Sequence, residues 1–180
     1  MYAQTRRRFL SALPLATASL AFPLHPTFAQ SPTALAIAGA LAGNHPAAYY
    51  RRAAEIFQKG NKDDAVFIFY LGQLRYRAHL QARTGELKPD GDPALFASLS
   101  EVVGRPLNEY AFGDIPALAK TLDAVLAYDR KNPDTFTPPA RYGAVYERTR
   151  AGLASMRTQL LQQADSIRAE RKKNGLQNRS

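Results

Sequence analysis

Apolar side chains recur at three- and four-residue steps over most of the chain beyond residue 46, the spacing of one face of an α-helix. Tyr49, Ala53, Ile56 and Phe57 share such a face with Glu55 and Lys59 opposite, and Gly60-Asn61 ends it. Residues 63–82 open with Val66, Phe67, Ile68, Phe69, Tyr70 and Leu71, which would also suit a strand. Asn61, Asp63 and Asp64 suit a helix start, however, and the run is about three times a typical strand length. A helix that is apolar nearly all round must be buried nearly all round, so this segment is expected at the centre of the fold.

Beyond the turn-rich residues 84–93, Leu95, Leu99, Val102 and Val103 predict a short helix capped by Asp92 and ended by Gly104-Arg105-Pro106. A polar-aromatic connection over 107–113 leads to Asp114 and Pro116, which open a helix with the face Ile115, Leu118, Leu122, Val125 and Leu126. A last helix is expected from Pro138-Pro139 to about Lys173, roughly 50 Å long and with its basic end projecting. The expected fold is all-α, a compact bundle of about five helices with a long C-terminal helix. The helical domain spans 46–167, with a linker or weak helix over 30–45 before it and a basic, frayed tail over 168–180 after it.

Residues 49–77 resemble a single tetratricopeptide-type helical hairpin, carried by Tyr49, Ala53, Ile56, Gly60, Ala65, Phe69 and Gly72. The pattern departs at Lys62, where an aromatic is usual, and at Arg77, where Pro closes the repeat. Arg83 stands where a second Tyr49 would fall, at an offset of about 34 residues, so the resemblance does not imply an extended array. It does imply a hairpin of the kind used for protein and peptide contacts.

The first 29 residues read as an address. Arg6, Arg7 and Arg8 precede a short apolar stretch broken by Pro14, and Thr27-Phe28-Ala29 supplies a small-residue cleavage site after Ala29. Thr5-Arg6-Arg7-Arg8-Phe9-Leu10 resembles the twin-arginine export pattern, which implies passage across the inner membrane in the folded state. An Arg-rich leader for the general secretory route is the alternative, and both lead to a periplasmic or secreted protein.

Absence of cysteine excludes disulfides, thiolate-ligated metal sites and a thiol nucleophile. The formal charge of +9 falls to +6 without the leader, and residues 168–180 hold +4 of that. This tail has no aromatic residue, which argues against nucleic acid and leaves weak contact with an anionic surface as its one expected interaction.

Catalytic side chains are scarce. Only His45 and His79 remain after leader removal, the first expected in an exposed loop and the second on the polar flank of the central helix. No nucleophile elbow, metal-binding spacing or phosphate loop occurs, so no metal, cofactor or catalytic residue is expected. The candidate binding constellation is Gln73, Arg75, Tyr76 and Arg77 of the central helix with Asn108, Glu109, Tyr110 and Asp114 of the later connection. Gln73 and Arg77 share a face and could point an amide and an Arg fork at a carboxylate, glycan or peptide group. In the competing structural reading Arg77 pairs with Glu109 or Asp114, and Gln73 ties down the connection. The expected function is that of an exported, non-catalytic protein-binding or scaffold module of the bacterial envelope. An antagonist of a periplasm-acting toxin and an accessory subunit would both suit, and its partner would be another envelope protein. The alternative is a small envelope enzyme acting on a glycan or lipid through carboxylates, with Glu109 beside Asp114 or His79.

Overall fold

A computed structural model describes residues 30–180, so the export motif at Arg6 and Arg7 and the cleavage position at Ala29 lie outside the described residues. Helices α1 (Pro32–Ala40), α2 (Ala47–Gln58), α3 (Lys62–Ala82) and α4 (Asp92–Leu99) lead into a π-helical turn (Ser100–Gly104). Then follow α5 (Arg105–Ala111), α6 (Ile115–Lys131), α7 (Pro139–Gln162) and α8 (Ala164–Lys173). No strand occurs among the described residues, and none of their helices is long and apolar enough to cross a membrane.

The ambiguous aromatic run is helical and central. Every position of α3 from Ala65 to Gly72 is buried, and α1, α2, α5, α6 and α7 all pack against this helix. The α2–α3 hairpin is the tightest pair. Gly60 turns the chain at φ +90°, where a side chain would be strained. Farther along, Gly72 lets α3 lie directly on Tyr49, with no room for a Cβ between them.

Among the described residues eight α-helices form where about five were expected, for local reasons. Ser31 caps α1 by accepting the Ala34 amide, and its hydroxyl donates to Asp64 of α3, so the apolar stretch after residue 31 is held as a helix. Gly104-Arg105-Pro106 does not stop the chain. The π-turn widens the helix just ahead of Pro106, whose ring would collide with a carbonyl one turn back, and helix resumes as α5. Gly104, lacking a Cβ, brings this bend against the Phe69 ring. Asp114 caps α6 as expected, accepting the Ala117 amide at 3.0 Å.

The long last helix is two helices. α7 is kinked at Tyr142 (φ −121°, ψ 33°) and ends at Gln163, and α8 packs Ala164 and Ile167 against the core instead of projecting. Residues 168–180 are not frayed: α8 runs to Lys173, and Gly175 at φ +72° reverses the chain. The Arg179 amide then donates to the Gly113 carbonyl at 2.6 Å, and its guanidinium lies 3.6 Å from the centre of the Tyr110 ring.

Candidate functional site

The eight predicted binding residues do not form one site. Arg75 is turned into the core, where it donates to Asp129 (3.2 Å), to the Tyr49 hydroxyl and to the Asn132 carbonyl (2.7 Å). Asp129 also accepts from Arg150 at 2.9 Å, so one fully buried carboxylate joins α3, α6 and α7. Nearby, Asp134 accepts from the Phe136 and Thr137 amides and from the Tyr146 hydroxyl, and burial with this carboxylate pushes the Tyr146 phenol well up. Asn108 accepts from Tyr70 at 2.8 Å, and Tyr110 donates to Asp63 at 2.9 Å. These two bonds tie the α5 region to α3, the task the structural reading gave to Gln73. Glu109 and Asp114 line different surface recesses, and His79 is in neither, so the acid/base grouping of the enzyme reading is not assembled.

The histidines are placed otherwise than the chain pattern suggests. His79 is buried, and His45 folds in from the loop before α2. Their Nε2 atoms lie 2.9 and 3.1 Å from the two carboxylate oxygens of Asp92, and the Tyr76 hydroxyl approaches the same carboxylate at 3.4 Å. Asp92 therefore faces inward and leaves the α4 terminus without a side-chain cap. Phe136 packs edge-on against His45 and tilted against His79.

Three ligand-type atoms of His45, His79 and Asp92 fall within 4.8 Å of one another, which raises the question of a metal. Ring-nitrogen partners bear on it. His45 Nδ1 accepts the Ala47 amide, so its proton sits on Nε2 and points at Asp92; His79 Nδ1 meets the Thr137 hydroxyl at 3.2 Å. Metal-bound imidazoles normally donate their second N–H outward, the opposite of His45. In the arrangement present, each of the four nitrogens has a hydrogen-bonding partner. Partial burial pushes the Asp92 carboxyl up, but the hydrogen bonds from His79 and His45 outweigh it and hold the group below the ordinary carboxylate value. The cluster is a clasp that joins the loop before α2, the end of α3, the start of α4 and the loop before α7.

One open groove, of about 300 Å³, lies between α3 and α7, smaller than the recesses of about 480 Å³ that Glu109 and Asp114 line. Gln73, Arg77 and Gln81 form one wall at helical four-residue steps; Arg148, Gly152 and Met156 form the other at the same spacing. Leu74 and Leu153 supply apolar floor. Arg77 does not pair with Glu109 or Asp114: its guanidinium lies 5.5 Å from the centre of the Phe96 ring. Thus two of the predicted residues, Gln73 and Arg77, share a recess, and sequence reasoning missed its α7 half. Comparison of the chain with protein-family models, curated proteins and solved structures finds no match, so the reading of this groove rests on its own geometry.

Proposed function

We propose that this protein is an exported, non-catalytic docking module of the bacterial envelope and that another protein seats on the α3–α7 groove. The observation that carries this is the groove itself: polar side chains at Gln73, Arg77, Gln81 and Arg148 stand over an apolar floor instead of being consumed by carboxylates of the same chain. Other polar side chains of α3 are tied into the fold, as Arg75 is by Asp129 and His79 by Asp92. A helical hairpin backed by a third helix is a rigid platform of the kind that accepts extended or helical segments. The twin-arginine-like leader supports an extracytoplasmic setting, and a platform that folds quickly through local helical contacts suits export in the folded state.

Photo-crosslinking tests the reading. With p-benzoylphenylalanine placed at Gln81 in the full chain expressed in cells, a discrete adduct with one protein is expected. The same probe at exposed Arg130 of α6, outside the groove, should yield none. Equal adducts at both positions, or none at Gln81, would reject docking at this face.

A further inference from the structure

Resting on that docking reading, we propose the chemistry of the occupant: a partner segment in which carboxylate side chains alternate with apolar ones, its acids held by Arg77 and Arg148. The groove is asymmetric in charge. It contains two arginines and no acidic residue. Neither guanidinium has a carboxylate partner among the described residues, whereas Arg52, Arg83 and Arg168 each close onto an acid three residues away. The two arginines come from different helices, Arg148 from α7 and Arg77 from α3, the latter with its guanidinium against the Phe96 ring of α4, so an acidic group entering the groove is drawn toward both walls once Arg77 turns from that ring.

Length and floor set the rest of the preference. Eight residue steps of α-helix on each wall span about 12 Å, enough for about four residues of extended chain. Leu74, Leu153 and Met156 offer apolar surface to the side chains between the acids. The Tyr50 hydroxyl and Ser100 Oγ are buried without a partner in hydrogen-bonding geometry, and Gln73 and Arg77 lie beside that hydroxyl. Burial pushes the Tyr50 phenol up to about 12, against the pull of Ser100, Arg77 and Gln73. Gly152 leaves the opposite wall low, since a Cβ there would meet nothing within 4 Å.

The experiment titrates the leaderless protein with four short peptides blocked at both ends, following amide shifts by NMR. One alternates Leu with Glu, and the others replace Glu by Gln, by Lys, or Leu by Ser. The Leu–Glu peptide should bind and shift groove residues such as Thr149 and Gly152. The Gln and Lys versions should bind at least about tenfold more weakly, and Arg77→Gln with Arg148→Gln should remove that preference. Gly152→Tyr, at a position where an added Cβ meets nothing within 4 Å, should block binding while leaving the circular dichroism unchanged. Arg130→Gln should leave affinity as it is. Equal binding of the Glu and Gln peptides, or a preference that survives in the double Arg variant, would overturn the proposal. Binding of anionic vesicles or inorganic phosphate in place of the peptide would also overturn it. If the Gln81 crosslink captures a partner while the Leu–Glu peptide fails to bind, the docking reading stands and this chemistry falls.

Discussion

At Asp92 two imidazole N–H groups and a phenol converge on one carboxylate, and the consequences are measurable. Asp92→Asn should destabilise the fold by about 1–3 kcal/mol, because a neutral amide accepts less strongly and leaves buried donors poorly paired. The effect has a definite pH dependence. The folded carboxyl titrates below its ordinary value of 3.8, so its stabilisation is complete above that value and is lost as the pH falls through the folded one. Urea unfolding of the native and Asp92→Asn proteins should therefore give a stability gap that is constant near neutral pH and narrows below about pH 4. A gap that stays constant into stronger acid would show that Asp92 is not held ionised by the clasp. The sequence marks Asp92 only as a helix cap, since its partners lie 47 and 13 residues away. A signal was nevertheless present. Once Tyr49 is placed on Gly72, one turn outward along both helices of an antiparallel pair sets position 45 opposite Tyr76, and the His45 and Tyr76 rings do stand 5.4 Å apart.

Among the elements, α3 and α2 show how a helix pair is specified. Helix propensity favours Ala over Gly by about 1 kcal/mol at an interior position, so propensity alone expects Gly72→Ala to stabilise. Packing says otherwise, because the added methyl would overlap the Tyr49 Cβ, which no rotamer change can move aside. Gly72→Ala should cost a net ~1–3 kcal/mol and lower the thermal midpoint, measured by circular dichroism. An unchanged or raised midpoint would mean that the two helices are not in this contact. The hairpin and its central helix are legible from apolar spacing because burial on one face, or on all, is written directly into residue type. Breaks in the later helices are not legible in this way. The π-turn before Pro106 and the bend at Gln163 depend on what the chain packs against, and the apolar stripe continues through both.

For the molecule as a whole, the Arg75–Asp129–Arg150 network joins three helices at one point of the core. Asp129→Leu leaves two buried guanidinium groups without their shared acid and should destabilise by about 3–5 kcal/mol, read as a loss of urea midpoint. Replacing all three by apolar residues should restore much of that loss, since the network fixes helix positions more than it adds net stability. A single variant as stable as the native protein would show that Asp129 is not the hub. From the chain Arg75 reads as a candidate binding residue, with no sign that it meets Asp129 and Arg150 in the core, because these partners lie 54 and 21 residues apart. By itself the amino-acid order determined that the protein is helical, which rod lies innermost and which turn folds the first pair, all consequences of apolar periodicity and short-range steric preference. Only tertiary structure decided that Arg75, His79 and Asp92 turn inward while Arg77 remains in an open groove with Arg148. The physical reason is that the fate of a polar side chain is set by partners brought close in space, a quantity that residue spacing along one helix does not contain.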